Sequence, residues 1–269
     1  MDAIRLNISL IIDVAKKNLK KLRYYKAANV SGLIVNLFWM IVQASILYAF
    51  TSNGISNMTS RQSIGYMIIT ESLLMITGID GGLGDIDIDD MIKSGSIIMY
   101  FIKPLGFIPY LIGLELGRIM YYLVWRAIPI FVIGCLIYQW FPAMDLTAFL
   151  LFIISVLMAV VIANTTKFIV SMLALRSKTT NGINDLFMAV ALFFSGGLLP
   201  LSFFPEWLYR VSLYLPFSAQ IYLPASILLG TEENVAFALI VEAAWCVLLT
   251  FVSYILYSKE RRYLIVQGG

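Results

Sequence analysis

Long apolar stretches alternate with shorter polar or charged segments along the whole chain. A helix that crosses a membrane needs about 20 mostly apolar residues at about 1.5 Å of rise each. Six stretches approach that length and predict six transmembrane helices, over residues 30–50, 63–79, 119–140, 146–166, 183–201 and 235–257. The pattern therefore predicts an all-α membrane protein with one transmembrane domain over residues 1–269.

Residues 1–28 precede the first predicted span and have the pattern of an amphipathic helix. One stripe of this segment is apolar, at Ile4, Ile11, Ala15 and Leu22. Its bases fall elsewhere on the helix, at Lys16, Lys20 and Arg23. Such a helix lies in the membrane interface with its bases toward anionic headgroups. We therefore expect a cytoplasmic interfacial helix, which can also contact a partner subunit.

The longest polar connection, residues 80–118, begins within the acidic, turn-rich stretch GIDGGLGDIDIDD. The spacing of its aspartates invites a calcium-loop interpretation. This interpretation fails because Asp90 occupies the position that needs glycine and Ser96 the position that needs a bidentate glutamate. Two interpretations stay open: a solvated acidic turn, or a docking surface for a basic cleft on another subunit. Residues 107–117 are apolar except for Glu115 and predict a short interfacial helix leading into the third span.

Residues 202–230 form a second unusual connection, because they are too aromatic for an aqueous loop and hold only two charges. Aromatic side chains of this kind lie at the level of the lipid headgroups. Pro205, Pro216 and Pro224 break the segment into pieces too short to cross a membrane. We expect two short re-entrant helices that enter the outer leaflet and return before the last span.

Composition removes several classes of function. The chain is 60% hydrophobic and 13% charged, whereas soluble domains are about 45–50% apolar and about 25% charged. It contains no histidine, which excludes a histidine-based triad, proton relay or metal site. It also lacks a G-x-x-x-x-G-K-[ST] stretch, so it carries no Walker-type ATPase of its own. A soluble enzyme and a nucleic-acid-binding protein are both excluded.

The distribution of lysine and arginine predicts the orientation in the membrane. Bases cluster before the first span, after the second, after the fourth and in the C-terminal tail. The connections on the other side carry only Arg61 and Arg210. Because basic residues favour the cytoplasmic side, both termini are expected in the cytoplasm.

Polar residues within the predicted spans are candidates for function, because lipid makes them costly. These residues are Asn36, Gln43, Glu71, Arg126 and Glu242. For Glu71 and Arg126 two interpretations are open: a structural ion pair between neighbouring helices, or a role in binding a polar substrate. For Asn36 and Gln43, which share a helix face with Asn29, the alternatives are interhelical hydrogen bonds or one wall of a translocation path.

Lys167 lies near the end of the fourth predicted span. We expect its side chain to extend to the cytoplasmic surface.

This architecture resembles the permease subunit of a type-2 ABC exporter. Residues 93–106, KSGSIIMYFIKPLG, are similar to the pattern G-x-(I/L)-x-x-(Y/F)-x-(L/I)-(K/R)-P-(L/I) at the cytoplasmic loop of such permeases. Residues 193–230 are similar to the stretch sG-x-x-x-P-x-x-x-(F/L)-P-x-(W/L), followed by LPF and P-x-x-x-x-x-G. Within this superfamily the chain looks closest to the small bacterial permeases that are often encoded in pairs beside one ATPase.

The resemblance implies a location in the bacterial cytoplasmic membrane and two groups of functional residues. The residues expected to dock on an ATPase are Asp89, Asp90, Met91, Ile92, Lys93 and Gly95. The residues expected to form an outer gate are Gly196, Gly197, Pro200, Pro205, Trp207 and Pro216.

The resemblance also implies the partners. They are ATP-binding cassette ATPase subunits, a second permease that is identical or different, and membrane lipid, but no nucleic acid. The chain itself is expected to bind no cofactor, because ATP and magnesium would bind to the ATPase. An alternative function is an ion-coupled secondary transporter that uses Glu71 as its coupling carboxylate.

Overall fold

A computed structural model describes residues 2–53, 58–79, 107–143, 145–174, 180–232 and 234–267. This part of the chain is helical and contains no strand. The helices are α1 (Asp2–Tyr24), α2 (Lys26–Ser52), α3 (Ser60–Thr77), α4 (Phe107–Tyr122), α5 (Ile128–Tyr138), α6 (Leu146–Ala174), α7 (Thr180–Phe194), α8 (Glu206–Leu213), α9 (Tyr222–Leu229) and α10 (Val235–Gln267). Short 3-10 turns at Leu201–Phe203 and Ser218–Gln220 flank α8.

Four helical segments are long and apolar enough to cross a membrane by length and composition: Ala27–Ser52, Phe107–Tyr138, Leu146–Leu173 and Val235–Lys259. Large apolar side chains project outward from them, including Phe38, Leu157 and Val247. An outer surface of this kind is stable in hydrocarbon and unstable in water. The membrane character predicted from the sequence is therefore confirmed. Four of the six predicted spans coincide with helices that are long and apolar enough to cross a membrane.

Helix α3 corresponds to the second predicted span, yet it is not among those four segments. A capping box starts it: the Thr59 hydroxyl accepts from the Gln62 backbone N–H, and the Gln62 side chain accepts from the Thr59 backbone N–H. Gly78 ends it in the left-handed conformation, at φ 59°. Every residue of α3 from Tyr66 onward is buried. The helix tolerates serine, threonine and glutamate because helices of its own subunit surround it.

The third predicted span begins earlier than expected. Residues 107–117 do not form a separate interfacial helix, because Phe107–Tyr138 is one continuous helical run with a π-helical turn at Leu123–Ala127. Pro129 follows at the start of α5. Proline lacks the N–H that a regular helix requires, and a wider π turn accommodates such an interruption.

The fifth predicted span extends too far. Helix α7 ends at Phe194, and residues 195–199 form turns and bends. Gly196 adopts φ 82°, a conformation that ends a helix and favours glycine. Beyond it, the expected pair of short helices is present as α8 and α9.

The bundle has two ends. At the loop end, α3 stops at Gly78 and α4 starts at Phe107. At the opposite end, Tyr66 near the start of α3 donates a hydrogen bond to the Gly196 carbonyl at 2.8 Å. Helix α3 therefore runs from one end of the bundle to the other.

Candidate functional site

Three charged side chains form a buried ionic cluster at the loop end: Glu115 and Arg118 of α4, and Lys167 of α6. Arg118 Nε donates to Glu115 Oε1 at 2.8 Å, and Lys167 Nζ lies 3.7 Å from the same oxygen. Their side chains are 8%, 5% and 9% exposed, respectively. Burial strengthens these interactions, since water does not screen the charges.

The ionic cluster caps the C-terminal end of α3. The Arg118 guanidinium donates to the Ile76 carbonyl at 3.1 Å, and Lys167 Nζ donates to the carbonyls of Thr77 at 3.2 Å and Gly78 at 3.1 Å. The last carbonyls of a helix have no partner within the helix and carry partial negative charge. Two cations at this position therefore satisfy these carbonyls and stabilise the helix end.

The expectation that Lys167 extends to the surface is wrong, because its amine is buried against the end of α3. Its long side chain turns inward to the carbonyls rather than outward to the headgroups. The sequence carried one local signal of the cluster. Glu115 and Arg118 are three residues apart, a spacing that places both side chains on one face of a helix.

Helix α1 packs directly against α4 at this end. A Cβ atom added to Gly117 would lie 2.5 Å from the Ala15 carbonyl oxygen, and one added to Gly113 would lie 2.9 Å from the Ile11 carbonyl oxygen. Only glycine allows two helix backbones to approach this closely. Asn18 is buried in the contact and donates to the Leu114 carbonyl at 2.7 Å. A helix is present where the sequence has the amphipathic pattern, and Ile11, Val14 and Ala15 of this helix lie against α4.

The expected docking residues Asp89–Gly95 and the stretch at 93–106 lie outside the described residues. The two ends of that loop are nevertheless described. Ile79 and Phe107 are both buried, and Arg118 of α4 bonds the carbonyls at the end of α3. The loop therefore leaves the bundle beside the ionic cluster and re-enters it at Phe107, about two helical turns before Glu115 on α4.

Asn36 of α2 points toward α3. Asn36 Nδ2 donates to the Met75 sulfur at 2.8 Å. Gln43 is buried, and its Oε1 has no hydrogen-bond partner among the described residues. Asn36 thus forms an interhelical hydrogen bond. The side-chain oxygen of Gln43 is a buried acceptor without a partner among the described residues.

Glu71 and Arg126 are not brought together. Glu71 is 1% exposed within α3. The Arg126 guanidinium carbon lies 4.8 Å from the centroid of the Tyr122 ring, and a Cβ atom on Gly32 would lie 2.4 Å from its Nη2. No ion pair joins Arg126 to Glu71 in the part of the chain that the structure describes. The expected pairing is therefore wrong, because Arg126 lies in the π turn and contacts α2 and an aromatic ring instead.

Glu242 lies inside the bundle, between α10 and α6. It is 0% exposed, and the Ser155 hydroxyl donates to its Oε1 at 2.6 Å. Its Oε2 has no partner among the described residues. The carboxyl group is thus shielded from lipid and held by one hydrogen bond across the α6–α10 contact.

Gly196, one of the expected outer gate residues, lies against Tyr66 and Tyr222 at the opposite end of the bundle. A Cβ atom on Gly196 would lie 2.4 Å from the Tyr66 hydroxyl, and the Tyr222 N–H donates to the Ser195 carbonyl at 3.0 Å. Burial raises the pKa of the Tyr222 hydroxyl, which keeps it neutral. Gly196 is therefore the residue on which α3, α7 and α9 converge.

The other expected gate residues differ in burial. Gly197 and Pro200 are buried, Pro216 is partly buried, and Pro205 and Trp207 are exposed at the start of α8. The two prolines at 200 and 205 are the N-cap residues of Leu201–Phe203 and Glu206–Leu213, with extended ψ values of 136° and 145°.

The fold and the cluster together define a helical membrane protein in which a buried ionic cluster holds the end of α3, where the connection to α4 begins. A family model described as ABC-2 family transporter protein matches residues 33–266, and the chain belongs to this family. No curated protein matches the sequence. The family match confirms the resemblance to a type-2 ABC permease, a membrane component of ABC transporters.

Proposed function

We propose that the chain is the membrane-spanning permease subunit of an ATP-driven exporter, coupled to separate ATP-binding cassette subunits. The family match over residues 33–266 carries this proposal. A second permease, identical or different, completes the translocation path. ATP and magnesium bind to the ATPase, and this chain supplies the path.

In this proposal the loop after α3 docks on the ATPase through residues 89–95. The ionic cluster supports such coupling, because it ties the start of the loop to α4 and α6. Helix α1 packs on the same α4. A displacement of the loop therefore acts on α1, α3, α4 and α6 together, since packed helices transmit strain rather than absorb it.

We further propose that α3 and α7 cross the membrane with the four longer segments, which gives six spans and cytoplasmic termini in a bacterial cell membrane. The run of α3 between the two ends of the bundle supports this topology. The interior polar residues Asn36, Gln43, Glu71 and Glu242, with Arg126, then lie at membrane depth and form or flank the path. The segment 195–230 closes its outer end as a re-entrant gate.

Charge reversal in the loop tests the proposed docking. The double variant D89K/D90K should lower co-purification of the partner ATPase, or uncouple its ATP hydrolysis from transport. A matched double variant, E206K/R210E, exchanges an exposed ion pair at the opposite end and should leave co-purification of the ATPase unchanged. Normal assembly and normal transport by D89K/D90K would refute the docking role.

A further inference from the structure

A pocket lies at the end of the bundle opposite the loop, where α2, α3 and α5 meet. Its volume is about 230 Å³, below the range of about 300–1,000 Å³ that is typical of sites for drug-sized molecules. The pocket therefore fits a small chemical group rather than a whole drug-sized molecule. Its lining includes Tyr48, Ser60, Arg61, Tyr138, Gln139 and Trp140.

The pocket lies at the depth of the lipid headgroups. Tyr48 and Tyr138 are close to the ends of two candidate membrane spans, Ala27–Ser52 and Phe107–Tyr138. Trp140 follows the second of these spans and also lines the pocket. Aromatic side chains with a polar atom are typical of the boundary between hydrocarbon and water. This end of the bundle therefore lies at the level of the lipid phosphates, whichever side of the membrane it faces.

Arg61 gives the pocket a positive charge that no carboxylate in its lining offsets. Helices α2 and α5 and the connection between α2 and α3 contain no aspartate or glutamate. Glu71, the acid of α3, lies about 15 Å further along the helix. Arg61 is exposed and forms no ion pair with another described residue, whereas Arg210 at the same end of the bundle is paired with Glu206. The Arg61 guanidinium is therefore available to an anionic ligand.

Three other side chains of the pocket add hydrogen-bond donors. Tyr48 and Tyr138 carry hydroxyl groups, and Gln139 carries an amide. None of the three forms a hydrogen bond through its side chain with another described residue. A phosphate group offers several acceptor oxygens to such donors, and its geometry matches the planar guanidinium of arginine.

Gln139 has a backbone conformation that is unfavourable for a residue with a side chain. It follows α5 with φ 49° and ψ 36°, and among the described residues it is the only non-glycine residue with a positive φ. Glycine adopts this left-handed conformation without the steric penalty that a Cβ atom brings. A glycine would thus end α5 with less strain but would place no amide in the pocket. Strained residues of this kind cluster at functional sites.

We propose that this pocket binds one phosphate group, held by the Arg61 guanidinium with the Gln139 amide and the two tyrosine hydroxyls as further donors. The source of the phosphate is either the headgroup of a membrane lipid or free phosphate in solution. The site goes beyond the exporter function, and it depends neither on ATPase coupling nor on the side of the membrane that this end faces. A phosphate bound here joins α2, α3 and α5 at one end of the bundle.

Native mass spectrometry of the full-length protein in detergent tests the site, because it resolves the binding of single lipid molecules. Phosphatidic acid is compared with diacylglycerol that has the same acyl chains, so the two probes differ only in the phosphate. The first phosphatidic acid should bind about tenfold more tightly, the factor that corresponds to one hydrogen bond to a charged group. Inorganic phosphate in excess then identifies the source: displacement of phosphatidic acid indicates a site for free phosphate, and retention indicates a site for the lipid headgroup.

Two variants and one control separate this site from general attraction between lipid and protein. Arg61→Gln should weaken the binding of phosphatidic acid about tenfold and leave that of diacylglycerol unchanged. Arg210→Gln is the matched control, because it removes an exposed arginine at the same end of the bundle and should leave both affinities unchanged. Gln139→Gly should weaken the binding of phosphatidic acid about fivefold, the factor that corresponds to one ordinary hydrogen bond. It should not lower the unfolding temperature, because glycine relieves the left-handed strain.

Two results would overturn the proposal. Equal affinities of the wild type and R61Q for both phosphatidic acid and inorganic phosphate would show that the pocket holds no phosphate. Wild-type binding of phosphatidic acid by Q139G, together with a lower unfolding temperature, would show that the Gln139 side chain serves the fold rather than a ligand.

Discussion

At the scale of single residues, the ionic cluster shows how three charges are tolerated in an apolar bundle. Arg118 and Lys167 each form an ion pair with Glu115 and donate hydrogen bonds to the carbonyls at the end of α3. A buried charge is costly unless it is paired and hydrogen-bonded, and here both conditions are met. The cluster therefore stabilises one particular arrangement of α3, α4 and α6.

Removal of the shared carboxylate should be strongly destabilising. Glu115→Gln leaves two buried cations without their counter-ion, a change that typically costs about 3–5 kcal/mol. We expect a lower unfolding temperature and a lower yield of folded protein in detergent. Glu206→Gln is the control, because the Glu206 side chain is 74% exposed in its pair with Arg210, and exposed pairs contribute only about 0.2–1 kcal/mol. Equal stability of E115Q and E206Q would contradict the structural role of the cluster.

At the scale of helices, the contact between α1 and α4 depends on two glycines. The Ala15 carbonyl oxygen lies where a Gly117 side chain would begin. A larger residue must push α1 outward, because backbone atoms cannot move aside like a flexible side chain. This contact holds the basic helix beside the helix that carries the ionic cluster.

Gly117→Val should loosen α1, since overpacking of a tight contact costs about 1–3 kcal/mol. Limited trypsin digestion should then cleave faster at the exposed bases Lys16 and Lys20. Met120→Val is the matched control, because it places the same β-branched side chain on α4 at an exposed position. Equal cleavage rates in the two variants would show that α1 does not need the close approach.

At the scale of the whole molecule, the two ends of the bundle are chemically different. The loop end holds the ionic cluster and the basic helix α1, and the opposite end holds α8, α9 and the tyrosines. A six-span topology places these ends on opposite sides of the membrane. Glu206, Arg210 and Ser258 are all exposed, so a labelling experiment at these positions reports the side of the membrane rather than burial.

Single cysteines placed at Glu206 or Arg210 should react with an impermeant thiol reagent added outside intact cells. A cysteine at Ser258 should react only after the membrane is opened. The free native cysteines, of which Cys135 is buried, are replaced first. Labelling of Ser258→Cys from outside would show that the C-terminus lies outside the cell, which requires an odd number of spans.

The sequence alone predicts most of the helices and the membrane class. Apolar length is a local property, so it finds α2, α6 and α10 and starts α6 and α10 at the observed residues, but it starts the run through α4 and α5 at 119 instead of at Phe107. The amphipathic pattern likewise identifies α1, and proline and aromatic content identifies the broken segment before α10. The end of α7 was missed because a single left-handed glycine, Gly196, stops a helix within an otherwise apolar run.

The partners of the buried polar groups depend on the tertiary structure. Lys167 bonds the end of α3, Ser155 bonds Glu242, and Asn18 bonds a carbonyl of α4. Each contact joins helices far apart in sequence, and no local pattern specifies which helices become neighbours. Arg126 shows the same limit. Its depth in the membrane suggested Glu71 as its ion-pair partner, whereas packing places its guanidinium over the Tyr122 ring. Local chemistry thus specifies where a helix forms, and only packing decides which charges meet.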